Sequence, residues 1–412
     1  MMENRRVVVT GLGAVTPIGK TVPETWQSMM DGVCGVGPIT LFDTSGYKAR
    51  LAAEVKDFHP RDYMEKADTL RTDRYTQFAI ASALQAVEES GIVGAVDPER
   101  LGVYYGSGIG GITTFSKEEQ KLLERGPQWV SPYFVPMMIA NMAAGMIAIR
   151  FGAKGAAMPS VTACASGSNA IGEAVRAIRH GYADAVITGG SEAPITGCGV
   201  AGFANMKALS TAVDPDAASL PFDRRHRGFV MGEGGAALVL EEYEHALARG
   251  AKIYGEVCGY GVTCDAYHMT APLPDAAGGA RAMKLALEEA GYAPEDRVYV
   301  NAHGTGTPLN DTGETKAIKT AFGEEKAREI RISSTKSMTG HMLGAAGAIE
   351  AIVCLKTLET GWIAPTIHLE EPAEGCDLNY VPNTPVQADV TLCVSNSFGF
   401  GGHNACLAFR KV

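Results

Sequence analysis

The chain has 412 residues, 46% hydrophobic and 20% charged, a balance that fills a large core, leaves room for two domain-sized units and excludes a disordered or fibrous polymer. A formal net charge of -10 excludes nucleic acid as the main ligand, since phosphate binding shows as basic excess. Nine cysteines without a C-x-x-C pair fit reduced thiols in a cytoplasm better than a disulfide framework or a zinc site.

The first apolar run, Val7-Val8-Val9, is too short for a secretory leader, and Arg6 to Thr10 reads as a strand followed by a tight glycine-rich turn, Gly11 to Gly19. Asp73 to Ser90 carries Phe78, Ile80, Ala81, Leu84 and Val87 at helical spacing and stops at Gly91. Leu101 to Tyr105 is strand-like and runs into Gly106-Ser107-Gly108-Ile109-Gly110-Gly111. That match to the dinucleotide pattern is the best support for a nicotinamide-dependent dehydrogenase, and close backbone packing is its structural alternative. Pro136 to Phe151 is apolar but shorter than a membrane span and contains Asn141 and Arg150, so a buried helix is expected and no membrane span.

Pro159 to Thr162 then enters Ala163-Cys164-Ala165-Ser166-Gly167-Ser168, and a helix follows with Ile171, Val175 and Ile178 on one face. The cysteine therefore sits at a strand-to-helix turn. Unpaired N–H groups there lower a thiol pKa from about 8.5 and favour the reactive thiolate. An inert, buried cysteine is the plainer reading of the same residue. Ala183 to Thr188 is the next strand, and the charged loop Pro221 to Gly235 leads into another at Ala236 to Leu240.

From Ile253 onward strands and helices alternate again: helix Gly278 to Gly291, strand Val298 to Asn301, helix Thr312 to Phe322, strand Ile330 to Thr335 and helix Leu343 to Gly361. Strands at Thr391 to Ser395 and Ala405 to Phe409 complete the series, so the expected class is α/β, with two similar halves at 1–255 and 256–412. Three strand ends carry polar, glycine-rich loops. Val300-Asn301-Ala302-His303-Gly304-Thr305-Gly306-Thr307-Pro308 and Ser334-Thr335-Lys336-Ser337-Met338-Thr339-Gly340-His341 each bring a histidine. Ser395-Asn396-Ser397-Phe398-Gly399-Phe400-Gly401-Gly402-His403-Asn404 exposes backbone near the C-terminus. A cysteine with two histidines can also ligate zinc, at the expense of its nucleophile.

With Cys164, these loops resemble the elongating β-ketoacyl-acyl carrier protein synthases, closest to the synthase II branch, from Val7-Val8-Val9-Thr10-Gly11-Leu12-Gly13 to Phe398-Gly399-Phe400-Gly401-Gly402. The resemblance implies a thiolase-like fold, two duplicated halves in a layered αβαβα sandwich, and a homodimer acting on acyl carrier protein. No cofactor is implied beyond the carrier's phosphopantetheine. The implied reaction is decarboxylative condensation of a malonyl thioester with a cysteine-bound acyl chain. A polyketide ketosynthase or a non-catalytic chain-length partner are the alternatives.

At matching positions Cys164 is the implied nucleophile, His303 and His341 the histidine pair and Lys336 the supporting cation. The N–H groups of Cys164 and Phe400 form the implied oxyanion hole, with Gly399 beside it; Thr305 and Thr307 are implied to hold the pantetheine arm. Ile109, Phe134 and Phe203 match the acyl pocket, and Asn301, Glu350, Ser395 and Asn396 a monovalent-cation or polar site. Lys66, Arg71 and Lys207 are the expected docking cations for an acidic carrier protein.

Overall fold

The computed structural model describes residues 5–412. Its ten main strands are β1 (Val7–Val15), β2 (Leu101–Gly106), β3 (Ala157–Ser160), β4 (Ala185–Glu192), β5 (Gly234–Glu242), β6 (Gly255–Cys264), β7 (Val298–Asn301), β8 (Arg331–Ser333), β9 (Leu392–Gly399) and β10 (His403–Arg410). They form one sheet in the order β8-β7-β9-β10-β6-β1-β5-β4-β2-β3. Between β6 and β1 the pairing is only Val8 with Glu256 and Val9 with Gly255, so the sheet is two five-stranded halves joined at a narrow seam.

Both halves have one topology. In each, the first strand pairs antiparallel with the fifth and the fifth antiparallel with the fourth, while the fourth, second and third run parallel. The duplication that residue identity conceals is thus visible as strand order.

Five principal helices cover the sheet: α1 (Arg74–Ser90), α2 (Ser166–Arg179), α3 (Ala277–Glu289), α4 (Pro308–Phe322) and α5 (Ala346–Thr360). Strand side chains alternate between two apolar layers, as a two-residue period demands. Val186, Leu238, Leu240, Tyr299, Cys393 and Leu407 join Ile171, Val175 and Ile178 of α2 and Ile349, Ile352 and Val353 of α5 in a central core. Their neighbours face outward: Ile187 and Val239 meet Phe78 of α1, while Val300 and Val394 meet Met283 of α3 and Ile318 of α4. Helix, sheet, helix pair, sheet and helix make the five layers of the thiolase-like sandwich. Removing a fully buried ring such as Phe78 costs about 3–5 kcal/mol in cores of this kind.

Helix α1 begins where Asp73 accepts the Tyr75 N–H and ends where Gly91 takes φ 62. The expected turn at Gly11 is instead the continuation of β1. Gly11 and Gly13 let the strand lie against α1: an added Cβ would stand 2.1 Å from the Ala86 carbonyl oxygen and 2.0 Å from that of Ser82, respectively. Strand β4 likewise runs past the expected end at Thr188, through Gly189 and Gly190 to Glu192. The apolar stretch from Pro136 divides at Ile139 into Phe134–Met138 and Met142–Phe151, and Ile149 is 73% exposed, so it is not one buried helix. Only Ala143, Ala144 and Ile147 of its second part are buried.

Both central helices are entered through the same turn. A one-turn 3₁₀ segment, Ala163–Ala165 with Ala163 at φ 50, precedes α2; Leu343–Ala345 with Leu343 at φ 43 precedes α5. Left-handed φ at a residue with a Cβ is costly and persists where packing imposes it. Cys164 occupies the middle of the first turn and Gly344 the middle of the second.

Candidate active site

One pocket of about 340 Å³ collects residues from three loops and two turns. Cys164, His303, His341, Phe398, Gly399 and Phe400 lie at its base, with Phe203 and Phe229 as an apolar wall. Thr305, Thr307, Leu309 and Lys207 stand at its rim.

Gly399 is packed onto the cysteine turn so closely that a Cβ there would stand 2.8 Å from the Thr162 carbonyl oxygen and 3.2 Å from the Cys164 nitrogen. That approach aims the N–H of Phe400, with the N–H of Cys164 itself, at the cysteine sulfur. Both N–H groups and the charge on Lys336 favour the thiolate. Burial outweighs them and pushes the Cys164 thiol up to about 12. The helix start therefore does not produce the lowered thiol pKa expected from the turn alone. The water excluded from the pocket takes more stabilisation from the thiolate than the backbone returns.

The rings of His303 and His341 meet edge to face with centroids 5.2 Å apart. Burial and the nearby Lys336 ammonium hold both well below the ordinary histidine range, so both imidazoles are neutral. Each Nδ1 is buried without a partner. An orphaned lone pair costs less than an orphaned N–H, so the proton belongs on Nε2 in each ring. The pair can present two N–H donors without adding charge.

Helix α4 fixes the first histidine loop. Its Glu314 accepts the N–H groups of His303 and Gly304, both at 2.8 Å, and Nδ2 of Asn396 at 3.0 Å. One turn earlier, Asp311 accepts the N–H of Phe222 at 2.8 Å and of Gly306 at 3.2 Å, and pairs with Nδ1 of His226 at 2.9 Å. Thr305 and Thr307 share a hydroxyl hydrogen bond of 2.9 Å at the rim. Neither acid was singled out in the sequence, although their i, i+3 spacing on one helix face directly after the histidine loop was the available signal.

Lys336, 1% exposed, is ion-paired with Glu350 of α5. The second carboxylate oxygen of Glu350, Oδ1 of Asn301, Oγ of Ser395 and Oδ1 of Asn396 are all buried without partners. The Nδ2 groups of the two asparagines are already used, on the Tyr299 hydroxyl and on Glu314. Four orphaned oxygens in the residues expected for a cation fit an oxygen-coordinated ion.

Glu192, at the end of β4, was also missed. It is fully buried and accepts the N–H groups of Gly108 at 2.7 Å, Gly344 at 3.0 Å and Ile109 at 3.2 Å, together with the Ser107 hydroxyl at 3.0 Å. These bonds remove the dehydrogenase alternative. The N–H groups of Gly108 and Ile109 are spent on Glu192, those of Gly110 and Gly111 on Ser107 and Met138, and a Cβ at Gly106 would stand 2.5 Å from Ser166. No face of that glycine run is left for a pyrophosphate.

Ile109 and Phe134 do not line this pocket; Ile109 is 37% exposed, and Phe134 packs against Phe115. Of the docking candidates, Lys207 alone lies at the pocket rim. Lys66 is exposed elsewhere, and Arg71 stacks over Tyr133, which precedes the Phe134 helix. No helix among the described residues is long and apolar enough to cross a membrane.

The Beta-ketoacyl synthase N-terminal domain family matches residues 4–246, and its C-terminal domain family matches residues 254–370. A 3-oxoacyl-[acyl-carrier-protein] synthase 2 of Staphylococcus aureus (strain COL) is 50% identical over 412 residues, 100% of this chain and 99% of its own. The protein of the same name from Synechocystis is 52% identical with the same coverage. A β-ketoacyl synthase from Burkholderia phymatum superposes with TM-score 0.92 at 37% identity, covering 99% of this chain and 100% of its own. A type II PKS ketosynthase bound to the hexaketide, in complex with its acyl-carrier protein, superposes with TM-score 0.91 at 34% identity over 100% of both chains. Two domain matches that begin before β1 and end beyond α5, on a sheet whose halves repeat one strand order, establish that the chain belongs to the β-ketoacyl synthase family.

Proposed function

We propose that the protein is a condensing enzyme of fatty acid biosynthesis, which joins an acyl chain held on Cys164 to the two-carbon unit of malonyl-acyl carrier protein. The observation that carries this reading is the single pocket in which the cysteine sulfur, two backbone N–H groups and two neutral imidazoles converge. The residue-1–255 half would supply the nucleophile, and the 256–412 half the histidines and the oxyanion turn.

In the first half-reaction the Cys164 sulfur attacks the acyl thioester, the bond to the pantetheine sulfur breaks, and the thiol proton leaves with the departing pantetheine. The tetrahedral oxyanion is held by the N–H groups of Cys164 and Phe400. Malonyl thioester then enters along Thr305 and Thr307. Its carboxylate leaves as carbon dioxide, and the electron pair of the broken bond becomes an enolate whose oxygen accepts from Nε2–H of His303 and His341. Donors placed where charge develops are each worth about 3–4 kcal/mol. The enolate carbon attacks the acyl carbonyl, Cys164 is expelled as thiolate and takes a proton from solvent. The product is a 3-oxoacyl chain two carbons longer.

Lys336 would stabilise negative charge in the pocket at a distance, since its ammonium is bound to Glu350. Asn301, Glu350, Ser395 and Asn396 would hold a monovalent cation, which would supply fixed positive charge to the site. The exposed edge strand β3 and the apolar face of Met158, Val161 and Ile149 support a homodimer. Ser107, two residues before Ile109, donates its N–H to the Ser160 carbonyl at the end of β3 at 3.2 Å, and Ile109 and Phe134 would reach an acyl pocket completed across the dimer. Lys207, with Lys66 and Arg71, would dock the acidic carrier protein.

The test is to incubate acyl-acyl carrier proteins of graded length with malonyl-acyl carrier protein and weigh the products. Single additions of two carbons support the fatty-acid reading. Successive unreduced additions would establish a polyketide ketosynthase instead. Absence of any product despite acylation of Cys164 would overturn both.

A further inference from the structure

Outside the pocket, three chemically unlike metal donors converge from distant parts of the chain. The thiol of Cys34, a carboxylate oxygen of Asp216 and a ring nitrogen of His368 all lie within 4.8 Å of one another. Nε2 of His368 stands 3.6 Å from Oδ1 of Asp216, longer than a hydrogen bond. Nδ1 of the same ring is buried with no hydrogen-bond partner, so no bond from its far side competes for the ring. The backbone of His368 is held at φ 62, and its carbonyl accepts from Arg225 at 2.8 Å, so the ring's position is imposed by packing.

The segments that carry these donors share one neighbour. Gly35 donates its N–H to the Met338 carbonyl at 2.8 Å, Ser219 its hydroxyl to the Lys336 carbonyl at 2.6 Å, and Ile367 its N–H to the Ser337 hydroxyl at 3.1 Å. All three bonds end on the short helix Lys336–Thr339, which carries the lysine paired with Glu350 and leads to His341.

We propose that Cys34, Asp216 and His368 form a binding site for a thiophilic divalent cation of the zinc class, which clamps the three segments under the Lys336–Thr339 helix. The set offers one sulfur, one nitrogen and one oxygen donor, the combination that zinc takes in tetrahedral sites with water as fourth ligand. Asp216 is 70% exposed on its side chain, which gives the ion a way in. Burial and the carboxylates of Asp216 and Asp214 hold the Cys34 proton on in the metal-free protein. Binding forms the sulfur–metal bond as that proton is released to solvent. None of the three ligands lines the pocket, so the ion adjusts the support of Lys336 rather than entering the reaction.

The experiment uses the full chain, freed of metal and titrated with zinc sulfate and separately with cobalt(II). Expected are one equivalent bound per chain, a cobalt–thiolate charge-transfer band, and alkylation of Cys34 slowed at least tenfold by zinc while the exposed Cys198 keeps its rate. Cys34→Ser and His368→Ala should each abolish the band, and His368→Ala should also remove the protection of Cys34; both should retain metal-free condensing activity. Zinc binding that is absent in the low micromolar range, or equally strong in both variants, would overturn the site.

Discussion

Oε2 of Glu192 accepts the N–H of Gly344 at 3.0 Å, tying the last residue of β4 to the turn of the second half that repeats the Cys164 turn. The same oxygen accepts Gly108 at 2.7 Å, and a Cβ at Gly108 would stand 3.0 Å from the Ala163 carbonyl oxygen. One buried carboxyl thus fixes both turns relative to each other.

Glu192→Ala leaves the buried N–H of Gly344 unpaired, at about 1–3 kcal/mol before relaxation, and also frees the partly buried N–H groups of Gly108 and Ile109. The expected result is a lower urea midpoint at unchanged m-value, with slower acylation of Cys164. A midpoint equal to the wild type would show that the carboxyl is dispensable.

Burial raises the Glu192 carboxyl to about 7. A folded-state pKa above the unfolded value of about 4.3 means that the native state binds more protons in between. Stability therefore falls as pH rises from about 4.5 to 7 and then levels, by up to roughly 3 kcal/mol from this group. Glu350 shifts in the same direction, so the comparison is between wild type and Glu192→Gln. The variant should show a shallower slope over that window in denaturant titrations at several pH values.

Because both histidines are held neutral, the malonyl decarboxylation rate is expected to be flat between about pH 6 and 8, with no limb near the ordinary histidine value of about 6.5. His303→Ala or His341→Ala should lower that rate by about 10²–10³-fold while acyl labelling of Cys164 persists. Cys164→Ala should abolish labelling altogether. Acyl label on the Cys164→Ala protein, or a histidine limb in the profile, would contradict these assignments.

Lys336→Met strands the Glu350 carboxylate in the interior, a change that typically costs 3–5 kcal/mol when one partner of a buried pair is removed. The double variant Lys336→Met with Glu350→Leu should recover much of that loss, because no buried charge remains. Thermal unfolding of the two proteins measures the difference. Recovery of stability without recovery of condensation would separate the lysine's catalytic effect from its structural one.

Gly399→Ala adds a Cβ 2.8 Å from the Thr162 carbonyl oxygen and must push the Phe400 N–H off the Cys164 sulfur. Acylation should slow by about 10²-fold or more, the loss typical of one oxyanion donor. A burst of acyl-enzyme at the wild-type rate would rule out the Phe400 N–H as a donor.

The sequence by itself determined the class of layers, the strand–helix alternation and the loops that carry Cys164, His303, His341 and Phe400, because apolar period and glycine-rich strand ends are local properties of the chain. It misplaced the turn at Gly11, since a strand glycine packed on a helix and a turn glycine have the same local signature. It also took Pro136 to Phe151 for one buried helix, because hydrophobicity alone does not tell a buried face from an exposed one. Only the tertiary structure decided the repeated strand order and the burial that raises the Cys164 thiol and neutralises the histidines. The same holds for the acids that hold the loops. Glu192, Asp311 and Glu314 act on backbone N–H groups, which leave no trace in residue identity, and the partners of Glu192 lie as far away as Gly344. Desolvation and long-range hydrogen bonding depend on what surrounds a group in space, and that is fixed only when the two halves close on one another.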